Sequence, residues 1–170
     1  MPDILGYDEV CFLIKPLYEN SDSLVSVSPN SSKDSLKNAR RCETFFFSPH
    51  SGFTMDSFRT GRMQHVISPR DYENYVDGVD CLAPTIHLKE ILYIPLLPLG
   101  ESTPLGTMQL INKSVGNITT TDISLITTLA PAIANWISLI IKGTKLSDTV
   151  DKVVDRVRRA AKDYETTSTF

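Results

Sequence analysis

Cysteine, histidine and tryptophan are scarce in this chain: three, three and one among 170 residues. Cys11, Cys42 and Cys81 lie far apart with no Cys-x-x-Cys spacing, which argues against a disulfide framework or a zinc knuckle and leaves buried free thiols as the expectation. His50, His65 and His87 show no spacing that suits a metal site or a Ser-His-Asp set. No catalytic constellation emerges, and neither a metal nor a cofactor is expected. Charge of one sign is lacking too. With 17 basic against 20 acidic side chains the net charge is −3, so no whole-chain field gathers phosphate backbones or anionic lipid, and nucleic acid is not an expected partner.

Long hydrophobic runs are also missing. The N-terminus, MPDILGYDEVCF, has no basic stretch followed by a long apolar core, so no secretory signal is read. The longest nearly uncharged apolar run, residues 129–141, contains Pro131 and Asn135 and falls short of the ~20 residues a bilayer core requires. The expectation is a cytoplasmic chain with no membrane insertion. In that setting the Asn-x-Ser/Thr sites at Asn30, Asn112 and Asn117 carry little meaning.

What is present is an ordinary globular composition, 41% hydrophobic and 22% charged, with room for one domain and a sizeable core. Residues 10–17 (VCFLIKPL) and 24–27 (LVSV) read as a first pair of strands, followed by the polar, turn-rich segment 28–37 as an exposed loop. Residues 42–48 (CETFFFS) are the next strand candidate, in which Phe45, Phe46 and Phe47 read as core plus one exposed edge. Residues 51–61 (SGFTMDSFRTG) place Phe53, Ser57 and Phe58 at helical spacing and stop at a glycine, so a short helix is expected there. Residues 63–67 read as extended. Residues 68–85 show no clean period, and one short helix near 71–76 is the most they are expected to hold.

Residues 90–97 (EILYIPLL) and 105–111 (LGTMQLI) are apolar strands joined by a Pro- and Gly-containing turn. Thr119 is then a natural N-cap, Asp122 sits where a carboxylate complements the helix dipole, and apolar residues recur at Ile126, Leu129, Ile133, Ile137 and Ile140. A helix over residues 120–142 is expected, kinked at Pro131, where an isolated helix loses ~3 kcal/mol. Gly143 is expected to stop or bend it. Beyond Gly143, Val150, Val154, Val157, Ala161 and Tyr164 alternate four and three apart, a short seam suited to its own domain or a second copy, before a frayed tail at 165–170. Lys152, Arg156, Arg158, Arg159 and Lys162 give this helix a basic face.

The element order predicts an α+β fold, a central antiparallel sheet of about six strands flanked by helices plus a C-terminal amphipathic helix. With these residues in view the chain resembles a GAF domain, the PAS-like sensory module of cyclic-nucleotide phosphodiesterases, adenylyl cyclases and phytochromes. The resemblance covers residues 10–141, within a domain taken as 1–143 followed by a helical extension at 144–170. Its strongest piece is Leu105-Gly106 with Leu110 and Asn112-Lys113, then Ile118-Thr119 and Asp122; Ile118 replaces the family's usual phenylalanine. Gly52-Phe53-Thr54 with Arg59-Thr60-Gly61, Gly78-Val79-Asp80 and Ile91-Leu92-Tyr93-Ile94-Pro95 match more loosely, in the right order.

The resemblance implies a salt bridge from Lys113 to Asp122, in a structural clip with Asn112 and Thr119. It also implies a small-molecule pocket lined by Phe53, Thr54, Asp80, Leu88 and Gln109 beneath a lid at residues 68–85. Gln109 stands where cyclic-nucleotide binders carry a glutamate, and Ser28-Pro29-Asn30 replaces their aromatic and acidic pair, so cyclic nucleotides are not the expected ligand. Leu82 follows Cys81 where bilin binders often have histidine, so a photoreceptor is not expected either. The family's flanking N-terminal helix has no counterpart before residue 10, which leaves a sheet face for the C-terminal helix or a partner to cover. Three readings stay open: a non-enzymatic regulatory module relaying a ligand through its terminal helix, a ligand-free structural subunit docking through that helix and the open sheet face, or a regulatory fragment of a phosphodiesterase or cyclase.

Overall fold

β-Branched and aromatic runs, punctuated by glycine and proline, become five antiparallel strands in the computed structural model: β1 (Tyr7–Ile14), β2 (Val25–Val27), β3 (Gln64–Ile67), β4 (Glu90–Pro95) and β5 (Gly106–Lys113). It describes residues 6–15, 24–27, 52–82 and 87–167, with side chains described as far as residue 143 and not for Val25–Val27. The strand order is β2-β1-β5-β4-β3 and every pairing is antiparallel. Two helices accompany the sheet, α1 (Gly52–Thr60) and α2 (Thr120–Thr167). The chain divides into two compact units, Met1–Asn135, which holds the sheet, and Trp136–Phe170, which is helical to Thr167.

The centre of the sheet is buried on both faces, as an antiparallel sheet is when helices cover it. Every residue of β4 from Glu90 to Ile94 and of β5 from Gly106 to Asn112 is buried. On one face Cys11, Ile91, Tyr93 and Ile111 pack with Phe53, Val66, Cys81 and Leu88. Leu13 joins Leu24, Met55 and Phe58 in a neighbouring cluster. Thus α1 buries Phe53, Met55 and Phe58 against the sheet, each side chain contributing roughly 1.5–3 kcal/mol by leaving water. Gly61, at φ 65°, closes α1 by donating to the Ser57 carbonyl at 3.0 Å, the glycine stop the sequence predicts.

At the start of α2, Thr119 Oγ1 accepts from Asp122 N (3.3 Å), and Asp122 Oδ2 accepts from Thr119 N (2.8 Å) and Thr119 Oγ1 (2.6 Å), a reciprocal capping box. Ile126, Ala130 and Ala134 then form the buried stripe of this unit. Asn135 Oδ1 accepts from Leu99 N at 3.0 Å, tying the β4–β5 connection to the helix.

Several elements differ from their sequence reading. β1 starts at Tyr7 rather than residue 10 and ends at Ile14, because its register on β5 runs from Tyr7 opposite Lys113 to Ile14 opposite Gly106. The helix expected near 71–76 is a single 3-10 turn, Pro69–Asp71, entered through Ser68 in a left-handed conformation (φ 47°). α2 continues through Gly143 to Thr167, where a stop or bend was expected. A glycine at ~1 kcal/mol is too small a penalty to end a helix whose neighbours favour it. Thr120–Gly143 also passes the length and composition test for a bilayer span that the shorter run 129–141 fails, with a mean hydropathy of 1.7. The expected strand at 42–48, the loop at 28–37, Cys42, His50 and Asn30 lie outside the described residues.

The clip at the foot of α2 makes a pH prediction. Lys113 Nζ donates to Asp122 Oδ2 at 2.6 Å. That bond, followed by those from Thr119, lowers the Asp122 carboxyl from 3.8 to about 2. The unfolded chain therefore holds this proton more tightly than the folded one. The clip's contribution is whole above pH 3.8 and is lost as the pH falls through about 2. Lys113→Met removes the principal cause, and urea midpoints measured across that window are expected to lose part of their downward slope with acid.

Candidate functional site

Gly52, at φ 82°, turns the chain into α1 so that the helix's first free N–H groups face Asp80. The fully buried Asp80 carboxylate accepts from Phe53 N (Oδ2, 3.1 Å), Thr54 N (Oδ1, 2.8 Å) and Val76 N (Oδ2, 3.0 Å). The chain's own carboxylate thus takes the place at a helix N-terminus that suits an anion. The close approach depends on the glycine, since a Cβ at position 52 would collide with both carboxylate oxygens of Asp80. Burial raises the Asp80 carboxyl above its usual 3.8, outweighing the hydrogen bonds from Thr54, Val76 and Phe53 that act the other way.

Thr54 is the hub of this layer. Its hydroxyl donates to the Val79 carbonyl (3.2 Å) and accepts from Gln109 Nε2 (2.8 Å), and its carbonyl accepts from Thr107 Oγ1 (3.1 Å). Gln109 Nε2 also donates to the Val79 carbonyl at 2.8 Å. The Tyr93 hydroxyl donates to the Asp80 carbonyl at 3.0 Å. Above it the Phe53 ring stacks on Tyr93 and meets Tyr72 edge-on, both at 5.6 Å between centroids.

The structure therefore gathers the five residues of the expected pocket. Thr54, Asp80 and Gln109 join one hydrogen-bonded network, and Phe53 and Leu88 belong to one apolar cluster. All five are buried, and they contact the chain's own atoms. Two polar atoms of this layer, Gln109 Oε1 and Ser57 Oγ, are buried with no hydrogen-bond partner among the described residues. A cavity of about 420 Å³ lies elsewhere, lined by Gly61, Met63, Ile94, Leu99, Thr127 and Pro131 among others, and none of the five faces it.

The four clip residues divide into two groups. Lys113, Thr119 and Asp122 meet at the start of α2, as given above. Asn112 instead serves the sheet: in the left-handed region (φ 45°), it accepts at Oδ1 from Lys89 N (2.8 Å) and Glu90 N (3.2 Å). Its Nδ2 donates to the His87 carbonyl (2.8 Å) and Asp8 Oδ2 (3.2 Å). So bonded and buried, this amide offers no nitrogen to a glycan.

One buried carboxylate escaped the sequence reading. Glu90 accepts from Ile118 N at Oε1 (2.7 Å) and lies 2.9 Å from His65 Nε2 at Oε2, joining β3, β4 and the entry to α2. A lone glutamate opening the apolar run EILYIP was its signal in sequence. Gly52, Val76 and Tyr93 were missed as well, since their roles depend on where Asp80 folds.

No protein-family model matches the sequence, and no curated protein matches it. Among solved structures, the chain is similar to the GAF domain of a two-component sensor histidine kinase from Bacillus halodurans, at 15% identity over 84% of this chain and 86% of that one, with a TM-score of 0.56. It is similar to residues 122 to 287 of a methyl-accepting chemotaxis protein, at 18% identity over 84% of each chain and a TM-score of 0.57. A type II free methionine-R-sulfoxide reductase from Thermoplasma acidophilum matches at 13% identity over 80% and 79%, with a TM-score of 0.50. At such identities the likeness is one of fold. The architecture is an α+β sheet-and-helix module, and the fold is that of a GAF domain.

Two glycines separate collision from backbone strain. Gly78 has φ 76° with open space around it, so Gly78→Ala is expected to cost about 1–2 kcal/mol for the left-handed conformation alone. Gly52→Ala adds displacement of Asp80 from α1 and is expected to cost about 3 kcal/mol or more. Equilibrium urea unfolding of both variants measures the difference.

Proposed function

We propose that this chain is a non-enzymatic, cytoplasmic regulatory and interaction module of GAF fold, closed by its own side chains and acting by docking. The observation that carries this reading is the Asp80 carboxylate seated on the first amides of α1, with Thr54 and Gln109 bonded beneath it. An incoming anion finds those donors occupied, and a planar ligand finds Phe53 stacked on Tyr93. The expected partner is a protein or a second copy, meeting α2 along Val150, Val154, Val157, Ala161 and Tyr164. The kinase and chemotaxis structures of like fold fit a regulatory role.

The reductase of like fold raises the question of thiol chemistry. Thiol redox catalysis needs an accessible thiolate. Among the described residues Cys11 and Cys81 are both buried, and burial, followed by the charge of Glu9, pushes the Cys11 thiol up to about 12.

A second reading rests on the two unpartnered buried atoms, Gln109 Oε1 and Ser57 Oγ. A small molecule with hydrogen-bond donors would satisfy them among Phe53, Thr54, Asp80, Leu88 and Gln109. It would displace the Asp80 segment from α1 and relay that movement through α2.

Thermal unfolding with a panel of nucleotides and metabolites distinguishes the two. A ligand at 100 times its dissociation constant stabilises a fold by about 2.7 kcal/mol, or roughly 5–10 °C in Tm for a domain of this size. The closed module is expected to show no such rise with any compound. A rise of that size, lost in Gln109→Leu, establishes the ligand reading instead.

A further inference from the structure

Side chains alternate along β4, so with Ile91 and Tyr93 packed beneath α1, Ile94 is turned to the opposite face of the sheet. The cavity of about 420 Å³ lies on that face, where α2 supplies Thr127, Ala130 and Pro131 to the same walls as Ile94. Ile94, Pro98 and Ala130 are its buried parts, Met63 and Pro131 are half-buried, and Glu101 and Thr127 stand exposed at its mouth. An apolar pocket of about 150 Å³ holds one benzene, so this volume takes a body of two fused rings with room for a short arm. Met63, unbranched and polarizable, can adapt to the outline of such a body.

The polar groups of the walls select the arm. Pro95, Pro98 and Pro131 carry no N–H. The other donors are committed: Gly61 N to the Ser57 carbonyl (3.0 Å), Leu99 N to Asn135 Oδ1 (3.0 Å), Glu101 N to the Pro98 carbonyl (3.2 Å) and Thr127 Oγ1 to the Ile123 carbonyl (2.7 Å). Acceptors, by contrast, are left over. Pro131, inside the helix, deprives the Thr127 carbonyl of the N–H that an unbroken ladder would supply, and both residues line the cavity. Glu101 is the only ionisable side chain among the lining residues, and no cation among the described residues forms an ion pair with it. Arg62, between two lining residues, is itself exposed and lines none of it. An anionic ligand would meet like charge and committed donors here. A protonated amine meets a carboxylate and a carbonyl that lacks its donor.

We propose that this cavity is a binding site for a hydrophobic amine, a fused-ring body on a short alkylammonium arm. The rings lie among Ile94, Met63 and Ala130, and the ammonium donates to the Thr127 carbonyl and the Glu101 carboxylate. The site goes beyond the closed-module reading and does not depend on it, because the Asp80 layer occupies the other face of the sheet.

The test is isothermal titration calorimetry of the full chain with naphthylethylamine. One site per chain, a submillimolar dissociation constant and a negative heat-capacity change are expected. Naphthylethanol keeps the rings without the charge and is expected to bind about tenfold more weakly, and naphthylacetate more weakly still. Glu101→Gln, at an exposed position, is expected to cut the advantage of the amine over the alcohol to about threefold or less. Thr127→Phe, which fills the mouth from an exposed position, is expected to abolish binding with the urea midpoint unchanged. The proposal is overturned if the amine gives no binding, if the alcohol or the acetate binds as tightly, or if neither variant alters the affinity. Amine binding that survives Thr127→Phe and is lost in Gln109→Leu places the ligand in the Asp80 layer, ending this proposal and the closed-module reading together. A metabolite-induced rise in Tm that is lost in Gln109→Leu while the amine still binds overturns the closed module alone and leaves this site standing.

Discussion

The seating of Asp80 on the N-terminus of α1 is the interaction on which the packing of this domain turns. A helix begins with N–H groups that have no partner of their own, and inside a protein each must find one. Here a carboxylate from a segment 26 residues away reaches Thr54 N, and the same side chain reaches Phe53 N and Val76 N. One group thereby fixes the helix and the irregular segment to each other. The cost is a buried acid, visible in the raised Asp80 carboxyl. Between pH 3.8 and its folded value ionisation weakens the fold, the opposite sign to Asp122, which is half-buried and paired with Lys113.

From that anchor the bonding runs directly into the sheet. Thr54 binds both Thr107 and Gln109 of β5, and Tyr93 of β4 binds the Asp80 carbonyl. Gln109 lies opposite Cys11 on β1 and Tyr93 on β4, so one row across three strands carries the layer beneath α1. The same β5 ends in Asn112, which secures the entry to β4, and Lys113, which holds the start of α2. Its central place in the strand order explains why so many roles converge on it.

What the sequence made legible was what local spacing determines. The glycine stop of α1, the hairpin of β4 and β5, and the capping box of α2 each depend on residues within a few positions of one another. The five residues expected around a pocket were found close together, but their number and types did not say that they would bind one another. That depends on Gly52 letting a distant carboxylate approach, which no local pattern encodes. Glu90 was unreadable for a similar reason, because its partners His65 and Ile118 lie 25 and 28 residues away. The start of β1 was misplaced because an acidic pair, Asp8-Glu9, hides a strand whose limits are set by its register on β5.

The two ends of β5 bear on how this module works. Relay from a ligand to α2 requires an element with two arrangements that both sites bias. From Gln109 to Ile111 the strand is paired on both sides and buried, and beyond it Asn112 leaves the extended region while Lys113 pairs with Tyr7 alone. Such a strand has no second register open to it, since a one-residue slip would turn Leu110 and Ile111 onto opposite faces. At its end Lys113 holds the first turn of α2, while Thr54 ties off the interior beside Gln109.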